Sequence, residues 1–121
     1  MPPVPSILLR GLYVKGSLKR TADGFEFQIK NDVMPGSMIG ALPLKLDHKP
    51  LPLESSSFVH GGQEVAFTAV SAENPVLMRR GDAVTVRVRG VQLRPGRHSL
   101  EINAFAQDVG RISFSISDDV R

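Results

Sequence analysis

Phe25-Glu26-Phe27-Gln28-Ile29-Lys30 and Val84-Thr85-Val86-Arg87-Val88-Arg89 decide the fold. In both stretches an apolar side chain alternates strictly with a polar one. Successive side chains of an extended strand point to opposite faces, so this period of two describes a strand with one buried face and one wet face. A helix would need its apolar positions at a period near 3.6.

The same alternation spreads outward from these two runs. Leu100, Ile102 and Ala104 alternate with Glu101, Asn103 and Phe105, and Ile112, Phe114 and Ile116 alternate with Ser113, Ser115 and Ser117. Shorter runs of the same kind are Leu12-Tyr13-Val14-Lys15, Leu42/Leu44/Leu46 and Val65/Phe67/Ala69. No window carries a convincing helical stripe. Ser71 to Met78 has room for one short helical turn, and Pro75 argues against more.

Turn chemistry separates the runs: Asp23-Gly24, Asp47-His48-Lys49-Pro50, Gly61-Gly62, Gly81-Asp82, Pro95-Gly96 and Asp108-Val109-Gly110, the last a hairpin candidate. Short strands at this spacing, each with one apolar face, predict an all-β fold: a two-sheet antiparallel β-sandwich of about seven to nine short strands. A small closed barrel is the alternative. A single open sheet is excluded, because each Val or Phe left in water forgoes about 1.5–3 kcal/mol.

The stretch from Asn31 to Ala41, Asn-Asp-Val-Met-Pro-Gly-Ser-Met-Ile-Gly-Ala, reads as the longest irregular segment. It is too apolar to stand in water. Either it folds back over the edge of its own sandwich, or it docks on another protein. Met34, Pro35, Met38 and Ile39 are the candidate anchors for such an interface, since methionine adapts to a partner surface.

Length and composition set the outer limits. The 121 residues are expected to form one domain, with 1–6 and 119–121 as loose termini. A chain of this size buries roughly two-thirds of its unfolded surface and needs no metal or disulfide to hold a core. Cysteine is absent, which excludes a disulfide framework, a thiolate metal site and a cysteine nucleophile. The start, Met1-Pro2-Pro3-Val4-Pro5, has no basic leader, and Ile7-Leu8-Leu9 is too short to span a membrane. The expectation is a cytoplasmic protein made in its mature form, with neither a membrane nor a nucleic acid as partner.

Net charge is +3, and the excess is local: six arginines against Asp82 alone between Arg79 and Arg97. Such a run can attract anions, nucleic acid or an acidic protein surface. The plainer reading is a set of arginines on the wet face of a strand. The three histidines, His48, His60 and His98, stand at no metal-ligand spacing, and the acids are scattered. No catalytic residue and no metal ligand is therefore assigned. Arg80-Gly81-Asp82 matches an adhesion tripeptide but sits where a turn enters a strand. The lack of Trp and the single Tyr13 leave no stacking platform for sugars or single-stranded nucleic acid.

The ordered set Gly16-Ser17-Leu18, Asp23-Gly24-Phe25-Glu26-Phe27-Gln28-Ile29-Lys30-Asn31, Pro35-Gly36, Leu93-Arg94-Pro95-Gly96-Arg97-His98, Leu100-Glu101-Ile102, Val109-Gly110-Arg111-Ile112-Ser113-Phe114 and Ser117-Asp118 resembles the small β subunit of bacterial C-glycoside deglycosidases. The resemblance implies a non-catalytic β-sandwich packed on a TIM-barrel α subunit. That α subunit would carry a divalent metal, commonly manganese, and the acid–base groups that cleave the C–C bond of 3-oxo-C-glycosides. The chain would then be an accessory subunit of a carbon–carbon lyase, inactive alone. Two other readings remain beside it: a stand-alone glycoside-binding or interaction module, and an anion or nucleic-acid binder using the arginines from Arg79 to Arg97.

Overall fold

A computed structural model describes residues 9–32, 36–107 and 109–120. The strands are β1 (Lys19–Arg20), β2 (Gly24–Lys30), β3 (Gly36–Ala41), β4 (Lys45–Leu46), β5 (Lys49–Pro50), β6 (Ser56–His60), β7 (Gln63–Ala66), β8 (Val76–Met78), β9 (Ala83–Arg89), β10 (Gly96–Ala106) and β11 (Gly110–Val120). They form two antiparallel sheets. One has the order β1-β2-β9-β6-β7 and the other β5-β4-β10-β3-β8, with β11 on the opposite edge of β10. The sandwich expected from the alternation is present. The strand number exceeds the expected range because β1, β4 and β5 are two-residue strands too short to show a period.

The core lies between the sheets. From the first sheet come Phe25, Phe27, Val84, Val86, Val88 and Phe58, and from the second Leu100, Ile102, Ala104, Phe114, Ile116 and Met38. β2 and β9 pair along their whole length, with Phe27 opposite Val86 and Phe25 opposite Val88. Gly24 stands where β2 meets the end of β9: a Cβ there would lie 1.9 Å from the Val88 carbonyl oxygen. Only a residue without a side chain fits that approach. Past the other end of β2, buried Asn31 donates from Nδ2 to the Met78 carbonyl at 2.9 Å, and its backbone exchanges bonds with Asp82 and Gly81. This ties the first sheet to the turn that follows β8.

Several local expectations are corrected. Leu12 to Lys15 is not a strand. Arg10–Leu12 is a 3-10 turn and Tyr13 makes an isolated bridge to Ile29. The Leu42/Leu44/Leu46 run yields only β4, because Pro43 has no N–H to offer a ladder. The Val65 run leaves the sheet at Ala66 and closes as a 3-10 turn, Phe67–Ala69, which brings the Phe67 ring onto Phe58 at 4.4 Å between centroids. Ser71 to Met78 forms no helical turn: Ser71 and Asn74 bond reciprocally, and the chain extends into β8 after Pro75.

The segment expected to be irregular is a strand over its second half. β3 pairs with both β10 and β8, and this two-sided ladder overrides the poor strand propensity of its glycines. Gly40 also serves packing, since a Cβ there would press on the Phe105 ring at 3.2 Å. The expected loose C-terminus is corrected as well. β11 continues through Asp119 to Val120, and Val120 is buried. Residues 1–6 and 121 lie outside the described residues.

Candidate functional site

The anchors proposed from sequence separate once the fold is known. Met34 and Pro35 lie outside the described residues. Met38 is a core residue, 5% exposed, on the inward face of β3, and is not available for docking as expected. Ile39 points the other way and is half-buried. Met38 instead lines an apolar crevice of about 80 Å³ between the sheets, together with Leu12, Ile29, Phe58, Ile102 and Phe114. Its volume suits a few methylene groups, and its lining offers little to orient a polar ligand.

On the outer face of the first sheet, Glu64 of β7 gathers the arginines of β9. Arg89 grips it with both terminal nitrogens, Nη1 to Oε2 and Nη2 to Oε1 at 3.0 Å. Ser57 donates to Oε2 at 2.6 Å and Arg87 Nη1 stands 3.5 Å from Oε1. The Arg89 and Ser57 bonds hold the Glu64 carboxyl down at about 2. Arg89 also reaches Asp23, Nε to Oδ2 at 3.3 Å. Both β9 arginines of this basic run are thus matched by acids, in agreement with the plainer reading of the charge.

A second cluster ties the β4–β5 turn to β10. Asp47 and His48 adopt left-handed conformations, φ +50° and +72°. Asp47 Oδ2 meets His98 Nδ1 at 2.7 Å, and its Oδ1 accepts the Ser99 N–H at 2.9 Å. His98 Nε2 meets the Arg94 carbonyl oxygen at 2.7 Å. Both ring nitrogens face acceptors, so the geometry suits an imidazolium donating twice. The Asp47 bond and then the Arg94 carbonyl push the His98 pKa up. The Ser99 N–H and then His98 pull Asp47 down. The pair resembles a catalytic Asp–His dyad in outline, yet no ring nitrogen is left to accept a substrate proton.

The third cluster joins the two ends of the described chain. Tyr13 donates to Asp118 Oδ2 at 2.6 Å, and the Gly16 N–H donates to the same oxygen at 2.7 Å. Burial and the bond to Asp118 push the Tyr13 hydroxyl up to about 12. The hydroxyl therefore stays protonated at neutral pH and acts as a fixed donor.

A cleft of about 380 Å³ lies between the β6–β7 hairpin and β8, lined by His60, Gln63, Arg79, Asp82, Pro75 and Leu77 among others. His60 Nε2 is 3.5 Å from Asp82 Oδ2, which also accepts the Arg79 N–H at 2.9 Å. Among the described residues no serine or threonine that could act as a nucleophile lines it. Among the described residues no group of three or more His, Asp or Glu side chains converges to hold a metal ion. No described helix is long and apolar enough to cross a membrane.

These clusters join residues far apart in sequence, which is why sequence reasoning missed them. Asp47 was visible as a turn residue and His98 only as a histidine at no metal-ligand spacing, and nothing local connects them.

Comparison with known proteins corrects the functional expectation. The sequence model of the family described as hydroxymethylglutaryl-CoA reductase, N-terminal domain, matches residues 8–121. No curated protein matches the chain. The match overturns the resemblance to the β subunit of C-glycoside deglycosidases. With it go the carbon–carbon lyase role and the TIM-barrel deglycosidase partner, and the stand-alone module finds no support either. The reason is physical. The motifs behind the resemblance, such as Asp23-Gly24, Pro95-Gly96 and Val109-Gly110, are the reversals that any antiparallel sandwich needs. They report fold rather than chemistry.

Proposed function

From the premise that the chain belongs to the family of hydroxymethylglutaryl-CoA reductase N-terminal domains, we propose that it is a structural domain of a reductase system. In this reading it accompanies the reducing centre and does not form it. The observation that carries the reading is the extent of the match, residues 8–121, which takes in every described strand.

The chemistry of the clusters supports it. Reducing an acyl thioester needs a hydride donor, a group that protonates the developing oxyanion, and donors aimed at that oxygen. A proton-transfer group works best with a pKa near the working pH. Here Glu64, Asp47 and Asp118 are held below the ordinary carboxyl range, while His98 and Tyr13 are held above their ordinary values. Each is displaced away from neutral pH or bound on both sides by its own fold. These residues fix turns and strand ends.

The test is an assay of hydroxymethylglutaryl-CoA-dependent hydride-donor oxidation. It is run on the purified chain alone and on the chain with the catalytic reductase polypeptide of the same source, with gel filtration alongside. The expected result is no turnover by the chain alone and co-elution with the catalytic polypeptide. Turnover by the chain alone, or separate elution at all ratios, contradicts the reading.

A further inference from the structure

The free edge of β11 is built unlike the other sheet edges. β1 and β5 are two residues long and carry Lys19, Arg20, Lys49 and Pro50; β8 has three residues and β7 has four. Short length, lysine and proline are the usual devices that stop an edge from pairing with another chain. β11 has none of them. It runs for 11 residues, about 36 Å of extended backbone, without a proline or a lysine.

The direction of its backbone groups follows from the register. Asp47 donates its N–H to the Ser99 carbonyl and Leu42 to the Asn103 carbonyl, so the odd-numbered residues of β10 turn toward β4 and β3. The even-numbered ones turn toward β11, where Leu100 faces Ile116 and Ile102 faces Phe114. Arg111, Ser113, Ser115 and Ser117 therefore turn their N–H and C=O outward. Among the described residues these outward groups meet no backbone partner. The side chains of the same residues, with Asp119, are exposed on the outer face.

We propose that β11 is the pairing edge for a second copy of this chain, laid antiparallel across a two-fold axis at Ser115. In that register Ser115 faces its own counterpart and Ser113 faces Ser117 of the second copy. Arg111 faces the second copy's Asp119, and the reverse pair repeats it. The strand is thus self-complementary in charge as well as in backbone, which is what a two-fold interface requires. Arg111 is already positioned: its Nη2 and the Ser113 hydroxyl both donate to Asn103 Oδ1, at 3.1 and 2.7 Å. Asp119 is 70% exposed, and Arg97 Nη1 stands 3.6 Å from its Oδ2. Main-chain bonds supply the attraction and the two Arg–Asp pairs set the register. The inference is independent of the reductase reading.

Sedimentation equilibrium of the full chain tests it, with circular dichroism to show that each variant is folded. The wild type is expected to dimerise. Arg111→Asp is expected to weaken the dimer at least about tenfold by setting like charges opposite each other, and Arg111→Asp combined with Asp119→Arg to recover it to within about threefold. Ser115→Pro removes an outward N–H and leaves the ladder to β10 intact, so it is expected to be monomeric. A wild type that stays monomeric up to about 1 mM overturns the proposal. So does a dimer indifferent to Arg111→Asp, or a charge swap that fails to restore association.

Discussion

The β2–β9 ladder and the β4–β5 turn sit in the same sandwich but are held in opposite ways. The ladder is held by burial. Phe25, Phe27, Val84, Val86 and Val88 are at most 1% exposed, and their contacts need no particular protonation state. The turn is held by charge. β4 and β5 offer two residues each, and Asp47 must grip His98 and the Ser99 N–H to keep the turn on β10. Burial is non-directional and large, whereas a surface ion pair is directional and small. The ladder should therefore set global stability at any pH, and the turn should respond to pH.

Breaking the ladder gives the largest effect. Phe27→Ala is expected to cost about 3–5 kcal/mol in urea unfolding, the range for a large side chain lost from a packed core. A loss below about 1 kcal/mol would mean that the ladder is not what holds the fold.

The Glu64 cluster lies between the two extremes, since it staples β7 to β9 from outside the core. Glu64→Gln keeps the shape and removes the charge. It is expected to cost about 0.5–1 kcal/mol at neutral pH, the exposed site being screened by solvent. The sign follows from the lowered pKa. Stabilisation is full above the unfolded carboxyl value and is lost as pH falls toward about 2. The gap between wild type and variant should close in acid. A gap that widens in acid would reverse the assignment.

The smallest effect sharpens the comparison most. His98 has a raised pKa, so its contribution is full below the unfolded histidine value and disappears as pH rises through the folded value. His98→Asn is expected to cost about 0.2–0.5 kcal/mol near pH 6 and less near pH 9 in thermal unfolding. An equal cost at both would show that the ring acts by packing alone.

Legibility in the sequence follows the same division. β2, β9, β10 and β11 could be read because one face of each is buried, and burial writes itself into the chain as a period of two. β3 could not, because Gly36 and Gly40 mimic turn chemistry and its partners β10 and β8 lie far along the chain. Phe67 kept the alternating pattern but reached the core from a 3-10 turn, so its burial was legible and its geometry was not. The clusters were invisible for a stronger reason. Asp47 and His98 are 51 residues apart, Glu64 and Arg89 are 25 apart, and Tyr13 and Asp118 are 105 apart. Only topology joins them. The family could not be told from turn motifs that many sandwiches share.

In the proposed function these ionisable groups serve the fold and not a reaction. An NMR pH titration following the Glu64 carboxyl and the His98 ring nitrogens together tests this most directly. Glu64 is expected to be half-titrated at about 2, and His98 to carry protons on both nitrogens past its ordinary midpoint. Ordinary values for both groups, or a neutral His98 with one nitrogen free at neutral pH, would contradict it.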